Sequence, residues 1–552
     1  MIHSPPKKRD MLSLAEIHSL TPLLNSLFLE WGNYTLDLPY LCIRYQDKCY
    51  KIELKKFSKI GHHQYTGNIY LEEQKIGFND FIKALSEVVR INDKNLFIER
   101  VNQSKFCIEE ALKLNIHHFN NIEPNFKHTE TALFVGHSLH PTPKSRNEFH
   151  HNDLVKYSPE HGAQFKVHWF KVHRSIYFQE HSNYFSDLTW TKKLSSFEDE
   201  KDYFLIPVHP WQKQRILELL IIKNYLAERL IIDLGEDPRL WTPTSSLRTI
   251  YNEDAPYMIK FSLDLKMTNS VRHLLPHELK RGIQIDEVCK DEELKPFFAS
   301  FPRFKIIQEP LYAGILDENK SPIVQTLVMI RENPFHKEDE VSLLATLTQP
   351  HVNDGVPLLK QLINHSGLSS HEWFKAFLQE AIAPILVLQG QYGVLLGAHQ
   401  QNLILKLNQG RPCGAYFRDC HGTGFDAHKI VSLRKNIHSI DDNNGNVLEQ
   451  EVSHYLFAYY VIINTVFNTI AAISYQMQID EEDLLEIFRL FLEEIKEHKD
   501  LDPGFVNYLL HAPKLKHKGN FFCTINNINE NTAKNPLDIY TEIRNPLKEF
   551  YE

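Results

Sequence analysis

Between Ser245 and Arg272, two runs rich in branched and aromatic side chains (246–251 and 257–265) flank Asn252-Glu253-Asp254-Ala255-Pro256, a turn by composition. The pattern predicts an antiparallel hairpin, and a hairpin fixes where its charges can go. Side chains alternate along a strand, so Ser246, Arg248 and Ile250 would share a face, as would Met258, Lys260 and Ser262. Beyond the hairpin, Thr268 reads as a helix N-cap, which would put Arg272 about one turn into a helix. A cation in the first turn opposes the helix dipole unless an anion is bound there too. Arg248, Lys260 and Arg272, with the hydroxyls of Ser245 and Ser246, therefore point to a polyanion. The alternative is three separate surface ion pairs.

A chain of 552 residues exceeds one compact core, so two or three domains are expected. Its formal net charge of −9 argues against nonspecific binding to nucleic acid or an anionic membrane, which needs a basic field. Positive charge is then local, as suits a small anionic substrate. The seven cysteines are odd in number and form no Cys-x-x-Cys pair, which favours reduced thiols and a cytoplasmic protein. The N-terminus, with Lys7-Lys8-Arg9, has no apolar core and does not read as a signal peptide. The most apolar run, Tyr455 to Ile473, carries Asn464, Thr465, Asn468 and Thr469, so it reads as a buried helix with a polar stripe and not a membrane span.

Residues 11–125 mix helical segments such as Phe81–Ile91 with strands such as Cys49–Leu54. Residues 126–330 hold short strands and most of the polar clusters. From about 340, helical patterns dominate: Pro357–Ser366, with Pro357 at the first helical position, then His371–Leu388, Leu448–Ile473 and Glu481–His498. Gly136-His137-Ser138-Leu139-His140-Pro141-Thr142-Pro143-Lys144-Ser145-Arg146 holds two prolines, which exclude a regular helix or central strand. It reads as a rigid loop for phosphate, with a metal site or simple packing as alternatives. Val208-His209-Pro210-Trp211-Gln212 reads as structural, and other histidines, His117-His118 among them, lack metal-site spacing. Gly397-Ala398-His399-Gln400-Gln401-Asn402 leads into a hairpin, with strands around Leu403-Ile404-Leu405 and up to Phe417 and a turn at Asn408-Gln409-Gly410. Arg418-Asp419 follows at its end. An Asp at a strand end beside that loop suits Mg²⁺ on a nucleotide, or is an ordinary cap.

In order and spacing, Gly-His-x-x-His-Pro-x-x-Lys-x-Arg, Ser-Ser-x-Arg-Thr, the Lys260…Thr268…Arg272 segment and Ala-His-x-Gln-Asn followed by Arg-Asp resemble the NRPS-independent siderophore (NIS) synthetases, the aerobactin-synthetase-like family. The match covers roughly residues 125–425. The resemblance implies an α+β fold shaped as a cupped hand: a thumb (1–125), a fingers domain (126–340) and a mostly helical palm (341–552). It implies an adenylating ligase that takes ATP, Mg²⁺ and citrate or a related polycarboxylic acid. The acyl-adenylate is then attacked by an amine or hydroxyl nucleophile, such as a hydroxylated diamine, a polyamine or an amino acid. Members are often homodimers.

By matching positions, His137, Lys144, Lys260 and Arg272 would contact the triphosphate, with His140, Arg146 and Ser245 beside them. Ser246 and Arg248 would hold phosphate or carboxylate. Thr268, Asn269, Arg272 and His399 would line the carboxylate pocket. Gln401 and Asn402 would position nucleotide and Asp419 the metal, with Arg248, Lys260, Arg272 and His399 as the catalytic set. Three positions depart from the family pattern: Gly397 and His421 stand where carboxylates are usual, and Glu148 where glycine is. That leaves Asp419 as the one evident anionic ligand. A strand Lys followed by His-x-Gln-Asn and Asp also resembles a kinase or aminoglycoside-phosphotransferase core, but the base Asp those enzymes need is replaced by Gln400 and Gln401. A non-catalytic nucleotide or citrate binder is the other alternative.

Overall fold

The computed structural model describes residues 8–115, 122–198, 200–350, 356–441, 445–529, 532–533 and 535–548. Residues 1–7, His117 and His118 lie outside them. The chain is α+β. An antiparallel five-stranded sheet runs from Thr35–Asp37 to Gln74–Ile76 in chain order, with the helices Lys8–Trp31 and Lys94–Asn115 packed together beside it.

The second sheet has eight strands, all antiparallel, with Tyr257–Phe261 and Thr249–Tyr251 at its centre. These two are the expected hairpin, with Thr249 opposite Lys260. The first strand is shorter than its composition suggests. Ser245–Arg248 form a turn, with Leu247 at φ +65°, so Ser246 and Arg248 sit in the turn and not on a strand face. Ile250, Ile259 and Phe261 face one apolar core, whereas Met258 belongs to another on the opposite side of the sheet. Lys260 therefore shares the Met258 face, and with both faces covered it is fully buried.

The helix expected after Thr268 is absent. Lys266–Met267 and Ser270–Val271 pair as a two-residue hairpin instead, Thr268 turns the chain at φ +53°, and the next helix begins at Pro276. Short polar residues with local hydrogen bonds serve caps and tight turns alike, so Thr-Asn-Ser did not discriminate between them.

The helical half forms the largest apolar core. Helix Leu358–His365 has Pro357 as its N-cap, one position before the expected one. Ser370–Phe377 continues through a π-helical stretch, Leu378–Ile382, into Ala383–Tyr392. The wider turn accommodates Pro384, which has no N–H to give the ladder. Gln450–Phe457, the π stretch Ala458–Phe467 and Asn468–Met477 form one further helix. It is long and apolar enough to cross a membrane, but 83% of its most apolar window is buried. A four-stranded sheet, Phe304–Ile306, Arg411–Phe417, Leu403–Asn408 and Val341–Leu343, joins this half to the eight-stranded sheet.

The folded chain holds many imidazoles neutral. Burial pushes His62, His140, His209 and His517 from 6.5 to about 3, and His63 and His399 to about 4. The unfolded chain would protonate all six near pH 6.5, so it binds more protons below that pH and stability falls as pH falls towards 4. Glu30, pushed up to about 8 by burial, works in the opposite direction but is outnumbered. The thermal midpoint should therefore fall steadily between pH 7 and pH 5. A flat midpoint across that range would mean these imidazoles are not held neutral.

Candidate active site

The Gly136–Arg146 segment is a loop, as its prolines require. Gly136 adopts φ +83° and packs so closely that a Cβ there would lie 3.0 Å from the Pro143 carbonyl oxygen. Helix Lys94–Asn115 anchors the far end: Arg146 N donates to Gln103 Oε1 (2.7 Å) and Lys144 N to Ser104 Oγ (3.1 Å). His140 Nδ1 accepts from Thr142 N at 3.1 Å, so the neutral ring carries its proton on Nε2, with Asn269 as hydrogen-bonding neighbour. His137 Nδ1 likewise accepts from Leu139 N, and burial holds that ring well below the usual imidazole range. His140 can thus donate to an anion without carrying charge, whereas His137 Nε2 already meets Asn464 Nδ2 at 3.0 Å.

The Ala398–Asn402 loop is held by the polar stripe of the Gln450–Met477 helix. Thr465 Oγ1 donates to Ala398 O (2.7 Å), Gln400 N donates to Asn464 Oδ1 (3.3 Å), and Asn468 donates to Gln400 Oε1. The π stretch also turns Tyr459, Tyr460 and Asn464 towards the same space, a recurrent use of π-helix. At the end of the Arg411–Phe417 strand, Arg418 donates to Glu130 Oε1 (2.5 Å) and Gln401 O (2.8 Å). Ser245 N donates to the other oxygen of Glu130 (2.8 Å). One buried carboxylate thereby ties the hairpin turn to the His399 loop.

These elements enclose a cavity of about 270 Å³. Every expected site residue except Lys260 lines it: His137, His140, Lys144, Arg146, Ser245, Ser246, Arg248, Thr268, Asn269, Arg272, His399, Gln401, Asn402 and Asp419. Arg248 is aimed by its bond to His273 O (2.8 Å) and Arg272 by its bond to Thr268 Oγ1 (3.0 Å). Lys144 and Arg146 reach the wall but also meet Glu160, Arg146 at 2.7 Å and Lys144 at 3.5 Å. Arg331, Tyr459, Tyr460, Asn464, Lys518 and Asn520 also line the wall, and sequence reasoning missed them. Asn464 had a signal, as a polar side chain in an apolar helix. Lys518 and Asn520 had none.

Lys260 lies behind the wall. Its ammonium donates to Asp419 Oδ1 (2.6 Å) and Glu309 Oε1 (3.3 Å). Arg331 donates twice to the same Glu309 oxygen, at 2.6 and 2.9 Å, and Cys420 N donates to Oε2 at 2.9 Å. Burial alone would raise both carboxyls, but these cations hold Glu309 down to about 2 and Asp419 well below the usual range. Asp419 therefore has Glu309 as an anionic neighbour, which the sequence did not reveal. Glu309, Asp419 and His421 offer donor atoms within 4.8 Å of one another. The set does not fit magnesium, which takes about six oxygens and dehydrates reluctantly. Glu309 has both oxygens bonded, Asp419 is bonded to Lys260, and His421 Nε2 turns to Met329 Sδ at 3.0 Å.

The IucA/IucC family model matches residues 125–349, and one described as "Ferric iron reductase FhuF-like transporter" matches residues 371–533. The chain is similar to an N(2)-citryl-N(6)-acetyl-N(6)-hydroxylysine synthase of Vibrio mimicus, at 33% identity over 96% of this chain and 94% of that one. It is 31% identical to a spermidine-citrate ligase of Bacillus anthracis, over 77% of this chain and 73% of the relative. Its fold superposes on the ATP-bound aerobactin synthetase IucA of Klebsiella pneumoniae with a TM-score of 0.88, at 27% identity, covering 97% of this chain and 99% of the other.

Removing the Glu130 carboxylate would leave Arg418 buried beside no counter-ion. Glu130→Ala should cost roughly 3–5 kcal/mol and lower the thermal midpoint. It should also weaken ligand binding, because the Ser245 turn and the Gln401 loop lose their tie. An unchanged midpoint would remove Glu130 from this role.

Proposed function

The chain belongs to the IucA/IucC family, and we propose that it is an ATP-dependent acid–amine ligase of siderophore biosynthesis acting on citrate. One carboxylate oxygen of citrate attacks the α-phosphorus of ATP and the bond to pyrophosphate breaks. The amine nitrogen then adds to the carbonyl of the citryl-adenylate, loses a proton and expels AMP. The observation that carries this reading is the wall: seven Lys and Arg side chains and one carboxylate surround the cavity. ATP and citrate together bring a dense negative charge, and an in-line displacement needs that charge neutralised and the reactants oriented more than it needs a covalent nucleophile.

Arginine forks suit planar carboxylates, so Arg248 and Arg272, with Thr268 and Asn269, would hold citrate. His137, His140, Lys144, Arg146, Ser245 and Ser246 would meet the phosphates, and Gln401 and Asn402 the nucleotide. The neutralisation that magnesium would supply falls largely to these cations. His399, lowered to about 4, is too weak a base to take a proton from an alkylammonium near neutral pH, so its part would be to orient the acid.

The amine is best read as one carrying its own carboxylate. The relatives' names include both a hydroxylysine derivative and spermidine. Among the described residues lining the cavity, Asp419 is the one carboxylate, and Lys260 already holds it. A polyamine would find little to pair with on such a wall, whereas an amino acid brings an anion for the arginines.

With ATP, citrate and hydroxylamine as trap, the products should be AMP, pyrophosphate and a citrate hydroxamate. ADP with orthophosphate would sink the adenylation reading. Arg272→Ala should lower kcat/KM about 10²–10³-fold with the thermal midpoint kept, the usual scale for losing one such donor.

A further inference from the structure

We propose that Lys260 occupies the place of a protein-held divalent cation, so that this chain binds no such ion until a nucleotide brings one. The two carboxylates that could hold a cation, Glu309 and Asp419, are bridged by the Lys260 ammonium, at 3.3 and 2.6 Å. Arg331 lies 2.6 Å from Glu309 and 3.9 Å from Asp419. Two anions thus face two cations, and an added divalent ion would meet like charge with no uncommitted pair of carboxylates to offset it.

The neighbouring positions close the site further. The His421 imidazole is buried, turns to Met329 and is not part of the cavity wall. Gly397 can present no ligand, and a side chain there has no room: its Cβ would lie 2.8 Å from the Gly422 carbonyl oxygen. The two loops that carry Gly397 and Asp419 therefore touch backbone to backbone, with no room between them for a side-chain ligand. Lys260 itself is held by a central strand of the eight-stranded sheet, and its cost of burial is met by the two carboxylates it bridges. A divalent ion used in the reaction would be carried by phosphate oxygens and water, with only the free side of Asp419 open to it.

The test is Mn²⁺ titration of the nucleotide-free, full-length protein, followed by the electron paramagnetic resonance signal of free Mn²⁺. The wild type should leave that signal unchanged into the millimolar range. Lys260→Met should uncover one site per chain that lowers the free Mn²⁺ signal at concentrations roughly tenfold or more below the millimolar range in which wild type leaves it unchanged. Adding Asp419→Asn to that variant should abolish it. One Mn²⁺ bound per wild-type chain without nucleotide, and lost in Asp419→Asn, would overturn the proposal. So would a Lys260→Met protein of native circular dichroism that still binds none. The wild-type titration needs no variant to fold. Nor does it need turnover, so its failure is separable from a failure of the adenylation reading, on which it rests only for the identity of the phosphate carrier.

Discussion

The ion cluster of Lys260, Glu309, Asp419 and Arg331 is the contact on which the site's arrangement turns. Lys260 and Arg331 come from adjacent strands of the eight-stranded sheet, with Lys260 opposite Met329 and Met258 opposite Arg331. Asp419 ends a strand of the smaller sheet, and Glu309 lies between the strands Phe304–Ile306 and Leu311–Ile315, which belong to different sheets. Four buried charges in one place are costly individually and tolerable only together. The two sheets are thereby fixed so that Arg248 and the His399 loop line one cavity and not a packed core.

A second device repeats the principle on the surrounding wall. Arg418 is backed by Glu130, and Arg146 with Lys144 by Glu160, each carboxylate buried. A cation anchored in this way keeps its position when the cavity is empty, so the positive field precedes its ligand. The buried imidazoles complement it: burial keeps them neutral, and the backbone N–H of Thr142 occupies His140 Nδ1 so that its Nε2 remains a donor. Charge for the polyanion and uncharged donors for its orientation are thus built separately.

How much of this was legible in the sequence depended on whether the signal was local. The hairpin around Asn252–Pro256, the Leu403–Phe417 hairpin and the long helices followed from alternation, turn composition and periodicity. The Gly136–Arg146 loop followed from its prolines. Thr268-Asn269-Ser270 misled, because the same side chains serve caps and turns. The set of wall residues was mostly readable from clustered polar motifs, but their partners were not. Glu309, Glu130 and Glu160 stand alone in sequence, far from Lys260, Arg418 and Arg146, and only long-range packing brings them together. For that reason Lys260 read as a phosphate ligand, whereas the fold turns it inward.

A buried strand lysine bonded to one glutamate and to an aspartate at the end of a hairpin is also the arrangement by which kinases order their nucleotide site. What separates the two chemistries here is the loop before the hairpin. A phosphotransferase needs a carboxylate base in that loop, within reach of the acceptor hydroxyl. In its place stand Gln400 and Gln401, neither of them a base; the Gln400 side-chain oxygen accepts from Thr348 Oγ1 at 2.6 Å and from Asn468, which braces the loop. Its neighbour Gln401 bonds Ser245 Oγ at 3.2 Å, on the wall itself. No general base is needed when the attacking group is already an anion, as the carboxylate of citrate is. An empty base position and an arginine-rich wall are therefore one design, and both follow from the substrate bringing its own negative charge.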